Sequence, residues 1–427
     1  MLFAGTSSAQ ISKKVIKTFF ADAAIQPAHV GISIYDPAAD KYIFTHQSDK
    51  YFIPASNTKL FTLYAGFKYL EDSIIGLRYL QMPDALILFP TGDPSFLGEE
   101  FPDQPVYHFL KDKKNMALVS AGFNEPLGNG WAWNDYEEYY MAQRSEFPIY
   151  GNMVTVAKRG DTLQVSPPTY PIRFENNFSD MLLGTFRIHR QWGNDTINIS
   201  LKSDRRNVTQ RESITMQTSR KRVAALLSDT LHQPVQPIEI VAQKEVKNNE
   251  PILEKIYSIP ADSVYKPMMH RSDNFFAEQV LLMSSNELLG YMKDEDIIDT
   301  LLKTHLAGLP QPPRWVDGSG LSRYNLFSPD DFIFLLNKMK SEIEWDRLTH
   351  ILPSGGEGTL RNYYQPLAGK LFAKTGTLSN NCALSGYMIT KKKKLLIFSV
   401  LVNNYPGSAT PVRRAVERFL MHVWQTQ

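Results

Sequence analysis

Leu371-Phe372-Ala373-Lys374-Thr375-Gly376-Thr377 opens as an apolar strand and runs into a cationic, hydroxyl-bearing stretch with a glycine in it. After it, Ala383 to Ile389 and Leu395 to Val402 read as two more strands, and Pro411 to Trp424 reads as a closing helix. The front of the chain has matching parts. Residues 11–26 carry Ile11, Val15, Phe19, Phe20 and Ala23 at helical spacing, and a hairpin follows, His29 to Tyr35 and Lys41 to Thr45, joined by the turn Asp36 to Asp40. Asn57 to Leu70 reads as a helix with one buried side. Strands and helices at both ends predict one α/β (α+β) domain, built from residues 11–80 and 262–427. The text between, 81–261, alternates short apolar runs with Pro, Gly and Asn, which predicts a mostly-β insertion of one or two subdomains.

With 427 residues and 43% apolar content, the chain is long enough for a large buried core. Its 46 basic and 44 acidic residues leave a formal charge of +2, too balanced for a nucleic-acid partner. The basic clusters Arg220-Lys221-Arg222 and Lys391 to Lys394 read as solvated faces or hairpin tips. One cysteine, Cys382, excludes an intrachain disulfide and a cysteine-rich zinc site. No apolar run approaches the ~20 residues of a membrane helix, so a soluble protein without a transmembrane segment is expected. Residues 1–10, with small side chains before Ala9, look like the remnant of a secretory signal, which places the protein outside the cytoplasm.

Three strings carry chemistry. Ser56 and Lys59 stand three apart and share a helical face, so the lysine can serve as base to a serine nucleophile. Ser56 equally suits a helix N-cap, with Lys59 an ordinary surface lysine. A competing pair, Ser263 and Lys266, is followed by Pro267, which turns Lys266 away from helical geometry. Ser272 and Asn274 flank Asp273 in a polar break before an apolar helix. There a hydroxyl can relay a proton and an amide can bind a substrate backbone, or the segment is a capping turn. Ser284 and Ser379 also begin Ser-x-Asn strings. Lys374, Thr375, Gly376 and Thr377 suit a free carboxylate on an edge strand. The glycine admits a close backbone, and the N–H of Thr377 can join that of Ser56 in an oxyanion hole.

Together these segments resemble the penicillin-recognising serine enzymes. Ile53 to Thr62, His270 to Gln279, Asp317 to Asn325 and Ala373 to Thr377 followed by Leu384 to Tyr387 narrow the likeness to the class C low-molecular-mass penicillin-binding proteins, which are D-Ala-D-Ala carboxypeptidases and endopeptidases. The resemblance implies the β-lactamase-like transpeptidase fold, an antiparallel sheet with flanking helices. It implies peptidoglycan stem peptides as substrates, covalent binding of β-lactams, no metal or cofactor, and a periplasmic or secreted location. By the same resemblance Ser56 is the acylated nucleophile and Lys59 its base. Ser272, Asn274 and Lys374 handle proton transfer and the substrate amide, and Thr375 and Thr377 bind the terminal carboxylate. Asp135 and Arg361 are candidates for gripping the stem side chain, whereas Asp317 and Ser319 read as structural turn residues. The second string is Ser-Asp-Asn where Ser-Asn-Asn is common, at a position treated as variable. A β-lactamase and a catalytically silent wall-binding module are the rival readings.

Overall fold

The computed structural model describes residues 11–123, 125–160, 162–175, 181–182, 184–202, 209–239 and 252–427. The signal-like residues 1–10 lie outside them. Two compact units divide the chain. The first takes residues up to Lys68, then Asp262–Ala277 and Asp294–Gln427; the second takes Tyr69–Ala261 and Glu278–Lys293.

The first unit is organised by an antiparallel sheet of five strands, in the order Leu371–Leu378, Asn381–Ile389, Leu395–Asn403, His29–Asp36 and Lys41–His46. Its middle strand, Leu395–Asn403, is the continuous apolar run of the sequence. Continuity follows from cover on both faces, because a strand with one wet face alternates. On one face Ile32, Ile34, Phe398 and Val400 form a core with Phe419, Leu420 and Val423 of the closing helix Ala409–Thr426. Phe19, on the opening helix Lys13–Phe20, meets Phe419 at a ring-centroid distance of 4.9 Å. That helix is shorter than the 11–26 read from periodicity, because turns occupy 21–27.

On the other face a row of small polar residues crosses four strands. Lys374 pairs with Ser385, Ser385 with Ser399, and Ser399 with Ser33. The row holds itself and its neighbours by hydrogen bonds. The Ser385 and Ser399 hydroxyls are 2.9 Å apart, Ser33 donates to Asp330 at 2.7 Å, and Asn57 donates its amide to Ser385 at 2.7 Å. Asp330 lies in the first turn of the helix Pro329–Glu342, which covers this face. Serine at these positions leaves room for the turn that carries Ser56. Gly386, beside the row, answers a different constraint: a Cβ there would stand 2.2 Å from the Phe372 carbonyl oxygen of the next strand.

The second unit contains one five-stranded sheet, in the order Val235–Ile238, Met116–Val119, Leu86–Phe89, Ser73–Gln81 and Glu254–Pro260, and two three-stranded sheets. The expected boundary at 80/81 falls inside Ser73–Gln81, which pairs with Leu86–Phe89 and Glu254–Pro260 and so stays with them. The mostly-β reading missed the helix Arg220–Leu231. Its signals were present: the hydroxyl of Ser219 caps it by accepting from the N–H of Arg222, and Val223, Leu226 and Leu227 sit at helical spacing on its buried side. The basic cluster Arg220 to Arg222 is therefore the first turn of a helix and not a hairpin tip. Lys391 to Lys393, in contrast, lie in the turn between two strands. No helix among the described residues is long and apolar enough to cross a membrane.

Replacing Gly386 by alanine forces its Cβ against a neighbouring strand's backbone and is expected to cost roughly 1–3 kcal/mol. The shift in denaturant midpoint measures it, and a change within a few tenths of a kcal/mol would refute the packing argument.

Candidate active site

The turn bearing Ser56 is a short 3-10 segment, Ala55–Thr58, leading directly into the helix Lys59–Tyr69. Ser56 does not cap the helix. Its Oγ accepts a hydrogen bond from Lys59 Nζ at 3.0 Å. Nor is Lys59 a surface lysine: it is fully buried, and its amine also reaches Asn274 Oδ1 and the carbonyl oxygen of Ser319, each at 2.6 Å. The loop Asp317 to Asn325 backs this turn. Asp317 accepts from the N–H groups of Gly320 and Ser322 and from the amide of Asn325, which folds the loop back on itself. Gly320 has φ +78°, and a Cβ on it would stand 1.9 Å from the Ala55 carbonyl oxygen. Asp317 is thus the turn residue expected from sequence. Ser319 adds a backbone carbonyl to the lysine, a contribution no side-chain pattern can reveal.

Ser272 sits between the helices Asp262–His270 and Asn274–Leu289 with φ +63°, a conformation that costs energy for a residue with a side chain. The capping role belongs to its neighbour: Asp273 Oδ1 accepts from the N–H of Phe276 at 3.0 Å. Aspartate in the middle of this string therefore fixes the helix start, and leaves the Ser272 hydroxyl for Lys374 Nζ, 2.9 Å away.

Lys374 is also fully buried, and its amine donates to the Thr375 carbonyl oxygen at 2.7 Å. Burial, with the charge of Lys59 as a second cause, holds its pKa well below the usual lysine range. Two lysine amines thus share one desolvated region.

Leu371–Leu378 is an edge strand, as expected. Its outward groups are identified by two bonds. Ala373 N–H donates to the Pro353 carbonyl, and the Leu371 carbonyl accepts from Gly355 N–H, both away from the neighbouring strand. Strand alternation then turns the N–H groups of Thr375 and Thr377 to the same open edge. Gly376 also serves packing. A Cβ on it would lie 2.5 Å from the Pro54 carbonyl oxygen and 3.1 Å from Asn57 N, so its absence lets the strand press against the Ser56 turn.

A cleft of about 700 Å3 opens here, lined by Ser56, Ser272, Thr375, Thr377, Arg361 and Arg413 among others. Thr375 donates its hydroxyl to Thr359 Oγ1 at 2.8 Å, and Arg413 donates to the Thr377 hydroxyl. Thr359 and Arg413 were not singled out from sequence; neither stands in a recognisable string. Asp135 is not among the lining residues. It belongs to the second unit, on the 3-10 turn Trp133–Asp135, where the hydroxyl of Tyr140 bonds it.

The decoys separate cleanly. Ser263 and Lys266 do share a helix, Asp262–His270, because Pro267 falls inside it, contrary to the expectation. Pro267 has no N–H to offer the Ser263 carbonyl, and Ser263 is an exposed residue of that helix. The Lys266 amine meets His350 Nε2 at 3.3 Å. The Ser284 hydroxyl is spent on the Val280 carbonyl within its helix, and Ser379 lies in the turn after the edge strand.

The model of the family described as D-Ala-D-Ala carboxypeptidase 3 (S13) matches residues 12–425. The D-alanyl-D-alanine carboxypeptidase of Actinomadura sp. (strain R39) is 24% identical over 456 residues, covering 92% of this chain and 81% of the relative. Penicillin-binding protein 4 (dacB) from Haemophilus influenzae superposes with a TM-score of 0.74 at 19% identity, covering 96% of this chain and 99% of the other. In complex with a β-lactam, that protein superposes at 0.70 and 18% identity with the same coverage. A predatory peptidoglycan endopeptidase from Bdellovibrio bacteriovorus reaches 0.50 at 14% identity, over 93% and 92% of the two chains. A match that begins one residue after the first described residue and ends two before the last residue of the chain leaves a single assignment: the protein belongs to the D-Ala-D-Ala carboxypeptidase 3 (S13) family.

Proposed function

We propose that Ser56 is the nucleophile through which this serine D-alanyl-D-alanine peptidase cleaves peptidoglycan stem peptides. The observation that carries the assignment is the contact of Ser56 Oγ with a fully buried Lys59 amine, 3.0 Å away, on a cleft that also holds Ser272 and the edge strand. Ser56 Oγ attacks the carbonyl carbon of the penultimate D-alanine, and its proton passes to Lys59 Nζ. The oxyanion that forms is held by the N–H groups of Ser56 and Thr377. Collapse breaks the C–N bond, and the departing amine takes a proton through the Ser272 hydroxyl, which Lys374 supports. Water then attacks the Ser56 ester, releases the shortened peptide acid and restores the serine.

Lys59 must be neutral to accept a proton, while at rest three acceptors surround it. Binding resolves this. A substrate carboxylate on the strand of Thr375 and Thr377 favours the charged form of Lys374, and a charged Lys374 disfavours charge on Lys59. Asn274 orients the Lys59 amine and contacts the substrate amide. Thr375 and Thr377 hold the terminal carboxylate, and Arg361 takes an anionic group of the stem side chain. The second unit is the inserted region. β-Lactams, which are cyclic amides with a similarly placed carboxylate, acylate the same serine. The substrate puts the site of action in the cell wall, in the periplasm or beyond the cell.

Ser56→Ala is expected to lower D-alanine release by at least ~10^4-fold and to abolish the covalent penicillin adduct seen by mass spectrometry. An adduct that persists in this variant would place the nucleophile elsewhere. Lys374→Met is expected to lose activity and yet gain folding stability, because it removes a charge that folding desolvates. Below the depressed pKa of Lys374 both folded and unfolded wild type carry the proton, and the gain is full. It shrinks as pH rises toward the ordinary lysine value of ~10.4, because the folded wild type is then already neutral. Denaturation midpoints of both proteins across pH measure the difference; a gain that grows with pH would contradict the sign.

A further inference from the structure

Ser272 holds φ +63°, in the left-handed region, on the short link between the helices Asp262–His270 and Asn274–Leu289. A residue with a side chain stays there only where its surroundings fix the backbone. In this chain its two neighbours are oppositely charged and bonded to each other. Arg271 Nε and Nη2 each lie 3.0 Å from Asp273 Oδ2, so the pair closes over the residue between them. Each partner is also fastened to a helix. The N–H of Arg271 donates to the Pro267 carbonyl at 3.1 Å, and Asp273 Oδ1 accepts from the N–H of Phe276 at 3.0 Å. The Arg271 guanidinium lies 5.1 Å from the centre of the Phe276 ring, a second tie from the end of one helix to the start of the next. At the middle of this clamp stands the Ser272 hydroxyl, 2.9 Å from Lys374 Nζ. An asparagine at 273 has one oxygen for the Phe276 N–H and only an amide NH2 for Arg271, so the carboxylate is what lets one side chain serve both.

We propose that the Arg271–Asp273 ion pair positions Ser272, and that the aspartate in the middle of the second string sets how fast the leaving amine is protonated. The inference rests on Ser272 being the group that delivers that proton. When the C–N bond breaks, its electron pair goes to nitrogen, which takes the Ser272 hydroxyl proton while Ser272 Oγ takes one from Lys374 Nζ. Both transfers need Oγ within hydrogen-bond reach of two partners at once. A backbone free to leave the left-handed region carries the hydroxyl off that line. Arg271 and Asp273 act through Ser272 and not on the reacting atoms, so they are positioning residues. A leaving group that departs as a stable anion needs no delivered proton. The pair therefore governs the cleavage of amides and has little hold on thiolesters, whose thiolate leaves with the electrons of the C–S bond.

The test uses the full chain and two substrates with the same acyl-D-alanyl group, one releasing D-alanine and one releasing D-thiolactate, which differ only in the leaving atom. Asp273→Asn keeps the helix cap and removes the ion pair. It is expected to lower kcat/KM for the amide about 10-fold and to leave the thiolester within about 2-fold of wild type. Arg271→Gln is expected to match it, the double variant to be no worse than either alone, and Arg271→Lys to recover part of the amide rate. Ser272→Ala sets the scale, with a loss of roughly 10^2-fold or more on the amide and far less on the thiolester. Thiolester turnover shows for each variant that the site is folded. An unchanged amide rate in both Asp273→Asn and Arg271→Gln would overturn the positioning role while leaving Ser272 its own. So would a fall of both rates together in these two variants, the mark of a purely structural pair. Equal losses on the two substrates in Ser272→Ala would overturn proton delivery by Ser272, and the role of the pair with it.

Discussion

Two lysine amines buried in one region set the terms for everything around them. Neither Lys59 nor Lys374 has any side-chain surface in water, and like charges so placed cannot both be retained cheaply. Oxygen acceptors receive them: Ser56, Asn274 and the Ser319 carbonyl at one amine, Ser272 and the Thr375 carbonyl at the other. Several local features follow from serving these two amines, among them the folded-back loop around Asp317, the left-handed Ser272 and the glycine contacts at 320 and 376.

Much of this was legible before any coordinates. Period-two and period-3.6 patterns located the strands and helices of the first unit, because its sheet is covered on both faces and its helices have one buried side. The strings at Ser56, Ser272 and Lys374 identified side chains whose roles depend on residue type and spacing. The helix Arg220–Leu231 was lost for a different reason: its basic first turn was judged by charge when its Ser219 cap and its leucines carried the information. The case of Pro267 shows a local preference overruled, since the helix Asp262–His270 runs through it although the residue before a proline disfavours that geometry.

What sequence cannot supply is mostly backbone. The Ser319 carbonyl and the outward N–H of Thr377 act through main-chain atoms that every residue possesses, so nothing in the side-chain pattern marks them. Gly376 marks a point of close approach in the sequence, and the fold adds that the Pro54 carbonyl is among the groups that come close. Arg413 and Thr359 illustrate the remaining gap. Each is an ordinary residue far along the chain, drawn to the cleft by the way a terminal helix and a loop cross the edge strand.

The pairing of His29–Asp36 with Leu395–Asn403 also governs the order of events at the ribosome. The sheet joins strands separated by more than 350 residues of sequence, so the earlier strand is made long before its partner. Contacts of such sequence separation form late and slowly. The second unit is drawn almost wholly from the span in between and can gather its own core meanwhile. Ser56 and Lys59 precede the strand of Lys374 by more than 300 residues, so a chain stopped before that strand has the Ser56 turn without the strand that packs on it.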